Sequence, residues 1–210
     1  MNEPTQKSKA EARCEAQRER ILSAARKCSI ESGFHAASMA SIAETAGVSA
    51  GLIYRYFESK NAIILAIIER KLNEVQADIQ RLQSESEVVA NRLIKLFDSW
   101  RHNQSSTMEP GLFLEIAALA IRDQQVAEAL RSADQRVRAE LRAWLMQAWE
   151  KAGCGLAEAQ ALERVFVMQA VIEGLVIRAI KQPDSDPDLV KEGLRPLLAY
   201  LLPVDREPSP

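Results

Sequence analysis

The sequence predicts an all-α protein of about nine helices, and three observations lead to this prediction. Glycine and proline are scarce, at 8 each in 210 residues, and aromatic residues make up 5%. Alanine, leucine, glutamate, glutamine and arginine, which favour helices, are abundant. No convincing stretch alternates apolar and polar residues as a β-strand does. At 47% hydrophobic, the chain can bury one large core or two modest ones.

The first helix is predicted from about Ala12 to Ser32, where Gly33 would end it. Residues 1–12 are polar and lack periodicity, which predicts a flexible arm. The inward positions of the helix form an apolar stripe at helical spacing: Ile21, Leu22, Ala25 and Cys28.

Two short helices joined by a tight turn are predicted between Ser38 and Lys60. Ser38 can cap the first helix, and Gly47 can supply the left-handed residue that ends it. Ser49 can then cap a second helix, held inward by Leu52, Ile53, Tyr56 and Phe57. The outward face would be Ala50, Gly51, Tyr54 and Arg55. This is the outline of a helix-turn-helix.

The outward face of the second short helix suits the major groove of DNA. Gly51 lets the backbone approach closely, the Ala50 methyl can meet a thymine methyl, and Arg55 can reach a guanine edge. Phosphate contacts are predicted for Tyr54, Tyr56 and Lys60, with Ser38 and Ser49 as caps whose phosphate contacts are secondary. The alternatives are that Tyr56 and Phe57 are core aromatics and that Lys60 is a solvated surface lysine.

A known family shares this pattern. Gly33-Phe34, Ser38-Met39, Ile42-Ala43, Ala46-Gly47-Val48-Ser49, Gly51, Ile53-Tyr54, Tyr56-Phe57 and Ser59-Lys60 resemble the N-terminal signature of the TetR family. The match covers about residues 15–65, and the rest agrees in length and helical character. The resemblance implies a homodimeric transcriptional regulator, usually a repressor, whose second domain binds a small molecule that releases DNA. Position 56 departs from the common pattern, with tyrosine where many members carry histidine.

Six further helices are predicted beyond the helix-turn-helix. The fourth helix is expected from near Ser59 through Leu82, the fifth at 85–102, the sixth at 110–121, the seventh at 123–152 and the eighth at 156–181. The ninth would be capped by Asp186, with Pro187 in its first turn. The predicted domains are a DNA-binding domain at 13–60, a ligand-binding and dimerisation domain at 61–203, and a tail at 204–210.

The eighth predicted helix is apolar on most of its circumference, so one domain cannot easily bury it alone. The ninth carries a second apolar stripe. A homodimer through helices eight and nine, forming a four-helix bundle across a two-fold axis, would cover both. Gly174 marks the close helix crossing that this bundle needs.

A ligand pocket is predicted from aromatic and polar residues in the apolar helices of the second domain. The candidates are Phe97, Trp100, Phe113, Glu115, Trp144, Met168, Gln169 and Glu173. The predicted effector is small and lipophilic, and cationic if Glu115 or Glu173 projects into the pocket. The competing hypothesis is a neutral or acyl-type metabolite, with those glutamates on the surface or paired to arginine.

Composition and motifs argue against other classes of protein. The two histidines, His35 and His102, lie in no catalytic motif, and the sequence predicts no enzyme, no cofactor and no metal site. Cys14, Cys28 and Cys154 are predicted to be free thiols of a cytoplasmic protein without a membrane span, a redox sensor being the alternative. Residues 1–60 carry nine basic and seven acidic side chains and the remainder is acidic, which favours DNA binding weakly. A DNA-binding regulator or architectural protein without a ligand remains the alternative function.

Overall fold

The computed structural model describes residues 9–82, 86–102 and 109–203, and within these ranges the chain forms nine α-helices. They are α1 (Lys9–Ala36), α2 (Met39–Ala46), α3 (Ala50–Tyr56), α4 (Lys60–Gln80), α5 (Ser86–Arg101), α6 (Pro110–Ala120), α7 (Gln124–Lys151), α8 (Glu158–Lys181) and α9 (Pro187–Leu201). No described residue lies in a β-strand, so the predicted fold class is confirmed. None of these helices contains an apolar stretch long enough to cross a bilayer.

The first helix starts earlier than predicted and carries a kink at Gly33. It starts at Lys9, so residues 9–12, predicted as part of the flexible arm, are helical, while residues 1–8 lie outside the described ranges. At Gly33 the backbone leaves helical geometry, with φ 77° and ψ 154°, and the turn resumes through Ala36. Gly33 therefore ends the long helical segment at the predicted position, and residues 34–36 add one short further turn. The inward stripe is buried as predicted.

The later helices begin and end within one or two residues of their predicted positions, because local signals mark their ends. Asp186 caps α9, its carboxylate accepting from the amide of Asp188 at 3.0 Å, and Pro187 follows as the first helical residue. The predicted break at Asn103 to Glu109 lies mostly outside the described residues, as does the predicted tail at 204–210.

Packing divides the described residues into two compact units. Unit 1 draws on Met1–Arg70 and Leu114–Leu130, and unit 2 on Lys71–Phe113 and Arg131–Pro210. This division does not follow the domain boundary predicted after residue 60. The reason is that α4 is continuous across that position and its first ten residues belong to unit 1.

Unit 1 is built on α1, which packs against α2, and on the α2–α3 pair. Ile42, Ala43, Ala46, Ile53 and Phe57 are all at most 3% exposed, so the apolar faces of both short helices are buried as predicted. Burial of Phe57 supports the core interpretation of this ring, which also lies 4.8 Å from the guanidinium carbon of Arg18.

Unit 2 has a larger core in which α5 packs against both α8 and α9. Phe97, Leu145 and Leu201 are almost completely buried there. Arg101 Nη1 donates to the carbonyls of Pro183 at 3.0 Å and Ser185 at 2.9 Å, which ties the end of α5 to the loop before α9. These contacts hold the helices that enclose the cavity described below.

One face of α8 and α9 stays exposed. Its large apolar side chains are Leu162, Phe166, Ile177 and Ile180 on α8, with Leu189 and Tyr200 on α9. Phe166 is 69% exposed and Leu189 is 72% exposed. A Cβ built on Gly174 of α8 would meet no atom within 4 Å. We refer to this set of six side chains with Gly174 as the α8–α9 face.

Candidate nucleic-acid interface and ligand cavity

The second helix of the predicted helix-turn-helix is anchored at its start. Ser49 Oγ accepts from the amide of Leu52 at 3.2 Å and so caps α3. Before it, Gly47 adopts the left-handed conformation, with φ 60° and ψ 42°, that ends α2. The amide of Val48 returns to the carbonyl of Ala43 at 2.9 Å. The sequence signals for this turn therefore correspond to real hydrogen bonds.

The predicted DNA-facing residues of α3 share one exposed face. Ala50, Gly51, Tyr54 and Arg55 are exposed, and Tyr54 is 57% exposed. The Cβ position of Gly51 meets no atom within 4 Å, so another molecule can approach its backbone closely. Tyr56 is half-buried. Because Ile53 on the opposite side is completely buried, the orientation of α3 is fixed by its own core.

The two predicted capping serines are exposed at the start of their helices. The Ser38 hydroxyl accepts from the amide of Ser41 at 3.0 Å, and the Ser41 hydroxyl accepts from the amide of Ser38 at 2.9 Å. This reciprocal pair closes the start of α2. A phosphate contact from Ser38 or Ser49 stays a prediction.

Lys60 differs from its predicted role as a phosphate contact. Its ammonium donates to the carbonyls of Phe34 at 2.7 Å, Ala37 at 3.0 Å and His35 at 3.4 Å. These bonds use all three ammonium protons. The carbonyls lie where α1 ends, and a cation is favourable at a helix C-terminus because it meets the negative end of the helix dipole. Lys60 is thus a capping residue of α1 in this structure.

Two basic residues of α1 that the sequence analysis missed lie beside the helix-turn-helix. Arg20 donates through Nη2 to the carbonyl of Gly47 at 3.4 Å, and Arg18 stacks on Phe57. Both side chains are exposed. Their only sequence signal is a basic residue on the outward side of a helix, which is common on any helical surface.

Glu115, predicted as a ligand contact, lies in unit 1. Its Oε2 accepts from the amide of Phe34 at 2.9 Å, directly after the interruption of α1 at Gly33. A second contact joins the same parts of the chain, since Asn61 Nδ2 donates to Asp123 at 2.7 Å. The amide of Val126, and then Asn61, lower the pKa of Asp123 below its ordinary value by hydrogen bonding to the carboxylate. α6 and the residue before α7 are therefore hydrogen-bonded to α1 and α4.

Unit 2 contains a partly open cavity of about 140 Å³ lined by α4, α5, α7, α8 and α9. Its walls are almost entirely apolar, and they include Val75, Leu93, Leu141, Met168 and Leu198. Asp78 and Arg92 are the charged residues among its described lining, 3.2 Å apart as an ion pair. An apolar space with few polar groups is the usual form of a small-molecule site.

Of the eight predicted ligand residues, Trp100 and Met168 line this cavity. The other six do not. Phe97 is 1% exposed in the core, Phe113 packs against that core, and Glu115 lies in unit 1. Trp144 Nε1 donates to the carbonyl of Leu82 at 2.9 Å, and Gln169 Nε2 donates to Asp134 at 2.7 Å.

Glu173 is exposed on α8 and does not line the cavity either. Partial desolvation, followed by repulsion from Asp134, raises the pKa of its carboxyl above the ordinary value. The two glutamates on which a cationic effector depended are thus both outside the cavity.

Among the described residues, no group of three or more histidine, cysteine, aspartate or glutamate side chains is placed to hold a metal. Cys14 is exposed, Cys154 is half-buried, and Cys28 is buried with its Sγ 3.2 Å from Thr45 Oγ1. All three thiols are free.

Two family models match this chain. Residues 21–67, which contain the helix-turn-helix, match the model of bacterial regulatory proteins of the tetR family. Residues 89–203 match the C-terminal model of BetI-type transcriptional repressors. The chain belongs to the TetR family. Members and relatives of this family are transcriptional regulators rather than enzymes, and TetR-family regulators bind DNA and act as dimers.

Individual TetR relatives agree with this membership. The transcriptional regulator UidR of Escherichia coli is 34% identical over 117 residues, a match that spans 57% of its length and 55% of this chain. The structure of GusR from Salmonella enterica is 27% identical and superposes with a TM-score of 0.73, covering 89% of this chain and 95% of GusR.

Two ligand-bound TetR-like structures show the same fold. FadR of Bacillus subtilis, in complex with stearoyl-CoA, has a TM-score of 0.63 at 19% identity, covering 88% of this chain and 98% of FadR. A regulator from Saccharomonospora viridis, in complex with choline, has a TM-score of 0.68 at 18% identity, covering 90% of this chain and 98% of that one. At these identities the likeness concerns the fold alone.

Proposed function

We propose that this TetR-family protein is a ligand-responsive repressor that acts in the cytoplasm and binds a palindromic operator through α3. The exposed face of Ala50, Gly51, Tyr54 and Arg55 is the observation that carries the proposal. Arg55 would donate to a guanine edge and the Ala50 methyl would contact thymine, while Tyr54 and Tyr56 would bind phosphates. The match to a model of transcriptional repressors supports repression over activation.

A homodimer through the α8–α9 face would present two copies of α3 to the two halves of the operator. Its exposed apolar side chains are costly to leave in water and would be covered by the same face of a second chain. The open space at Gly174 would let two helices cross closely. The two-fold symmetry of such a dimer matches a palindrome.

Release of DNA would follow from a change in the separation of the two α3 helices. The cavity is lined by Val75, Asp78 and Ile79 of α4 and by Leu82 just after it. The first residue of α4, Lys60, binds the carbonyls at the end of α1. A ligand that shifts α4 would therefore act on the DNA-binding region. Operator half-sites lie about 34–36 Å apart, so a change of a few ångströms would prevent both α3 helices from docking. The ligand must bind the DNA-free state more tightly to have this effect.

Selection of DNA from a random library by the full-length protein tests the DNA-binding part of the proposal. We expect enrichment of a palindrome with half-sites one helical turn apart. Failure to enrich any sequence at low salt would overturn it. Enrichment of AT-rich or bent DNA without a palindrome would instead favour the second candidate, an architectural DNA-binding protein. The cavity favours the ligand-responsive candidate, because unfilled apolar space costs stability and a bound ligand would fill it.

A further inference from the structure

The three tryptophans of unit 2 differ in their hydrogen bonding. Trp144 Nε1 donates to the carbonyl of Leu82 at 2.9 Å, and Trp149 Nε1 donates to the carbonyl of Leu201 at 3.4 Å. Trp100 is 2% exposed, and its Nε1 has no acceptor among the described residues. Buried indole N–H groups normally have a partner. Because Trp100 lines the cavity, a bound molecule is the natural source of the missing acceptor.

The charged residues at the cavity favour an anion. Asp78 is the acidic residue among the described lining, and it pairs with Arg92 at 3.2 Å and with Arg81 at 3.9 Å. Among the described residues, one carboxylate is therefore shared by two guanidinium groups, which leaves an excess of positive charge beside the cavity. A carboxylate is a good partner for a guanidinium, because its two oxygens match the guanidinium N–H groups.

The same residues offer little to a cation. Asp78 is already paired with two arginines, and Trp100 is the one aromatic ring in the described lining. Recognition of a quaternary ammonium uses a cage of several rings.

The volume of the cavity limits the apolar part of the ligand. An engineered apolar cavity of about 150 Å³ holds one benzene molecule. At about 140 Å³, this cavity can hold a tail of similar size, such as a chain of about six carbons.

We propose that this cavity binds an amphiphilic carboxylate with a short apolar tail, whose head group accepts from Trp100 Nε1 and pairs with Arg92. This inference rests on the proposed ligand-responsive function and names the chemical class of its effector. It differs from a lipophilic cation, for which Glu115 and Glu173 were the predicted partners, because neither residue lines the cavity.

Calorimetry of the full-length protein with three probes of equal tail length tests the proposal: hexanoate, 1-hexanol and hexyltrimethylammonium. We expect hexanoate to bind at least tenfold more tightly than the ammonium compound. Trp100→Phe keeps an aromatic ring but removes the N–H, so it should weaken both hexanoate and hexanol by about tenfold. Arg92→Gln should weaken hexanoate by about tenfold and leave hexanol unchanged, because only the carboxylate pairs with the guanidinium.

The control is Arg195→Gln, which removes a charge from an exposed ion pair on α9 outside the cavity lining and should change none of the three affinities. Arg92 is half exposed at its side chain, so Arg92→Gln keeps the test valid if Trp100→Phe fails to fold.

Tighter binding of the ammonium compound, equal binding of all three probes, binding of none, or hexanoate binding that is unaffected by Arg92→Gln would each overturn the proposal. The proposed function has a separate readout in the DNA selection. If the ammonium compound or hexanol binds and releases selected DNA while hexanoate does not, the ligand-responsive regulator stands and the carboxylate class is wrong.

Discussion

Two basic residues, five positions apart in sequence, have different tasks in this protein. Arg55 is exposed on the outward face of α3. Lys60 donates to three carbonyls at the end of α1. The sequence analysis assigned both to DNA, because a basic residue in or beside a recognition helix looks the same whether it meets a phosphate or a helix end. At the scale of single residues, the two roles predict different outcomes of mutation.

Replacing Arg55 with alanine should relax sequence preference at one position of each half-site. The loss of a bidentate contact to guanine costs about 1 to 3 kcal/mol against the preferred sequence and little against its variants. Fluorescence anisotropy with the selected operator and with single-base variants measures this difference. The melting temperature should be unchanged, since Arg55 is exposed. Equal weakening on every sequence would show that Arg55 contacts phosphate.

Replacing Lys60 with methionine should destabilise the protein, because the carbonyls of Phe34 and Ala37 lose their donor. We expect the free energy of unfolding to fall by about 1.5 kcal/mol. This is the lower end of the range for hydrogen bonds to a charged group, because Lys60 is only half-buried. Urea denaturation measures the change, with Lys95→Met, at an exposed position of α5, as the control. The opposite result would be an unchanged stability together with a smaller slope of log affinity against log salt concentration, by about one unit. It would show that Lys60 contacts a phosphate.

Among the elements, α1 has the most unusual backbone. Its helical geometry is broken at Gly33, whose φ of 77° and ψ of 154° lie near a region that only glycine occupies without strain. The freed amide of Phe34 is held by Glu115 of α6. The kink at Gly33 is thus stabilised by a hydrogen bond between Phe34 and Glu115, which lie 81 positions apart in sequence.

Replacing Gly33 with alanine should cost about 1 to 3 kcal/mol of backbone strain. The new Cβ would lie 3.4 Å from Glu115 Oε2, an ordinary van der Waals distance, so the expected cost comes from the backbone conformation. Thermal or urea unfolding measures the loss. The matched control is Gly193→Ala in α9, where a Cβ meets no atom within 4 Å, so this change should stabilise by about 0.5 to 1 kcal/mol. Similar effects of both substitutions would show that the interruption at Gly33 is not essential.

Local signals predicted the elements well and the long-range contacts poorly. Ser38, Ser49 and Asp186 cap helix starts through hydrogen bonds to amides at most three residues away. The local sequence alone therefore predicts where these helices begin. Glu115 sits in an apolar helix, and nothing near it in sequence indicates a partner at Phe34. The cavity was equally hidden, because Leu93 and Leu198 occupy the same apolar stripe positions whether they fill a core or line a void. Only Trp100 and Met168 were predicted among its lining residues.

For the whole molecule, the α8–α9 face carries the proposed dimer. Replacing Phe166, which is 69% exposed, with glutamate should leave the fold of each chain intact. It would place two carboxylates, one from each chain, in the proposed apolar interface, where burying a charge is costly. Sedimentation equilibrium should show dissociation at concentrations where the unchanged protein is dimeric. Operator affinity should fall more than affinity for a single half-site, since only the palindrome needs both subunits.

The control for this variant is Ile121→Glu, a change of the same kind at a side chain that is 85% exposed in unit 1. It should leave the oligomeric state unchanged. A Phe166→Glu protein that still sediments as a dimer would remove the α8–α9 face from the proposed interface.

Unit 1 is discontinuous along the chain, and this has a consequence for protein engineering. A hybrid regulator is usually made by joining the DNA-binding segment of one protein to the body of another at a single junction. Here a graft of the first 70 residues would leave behind Glu115 and Asp123, the acceptors for Phe34 and Asn61. A working hybrid would need both segments, Met1–Arg70 and Leu114–Leu130, or a host whose own helix offers a carboxylate at the same place.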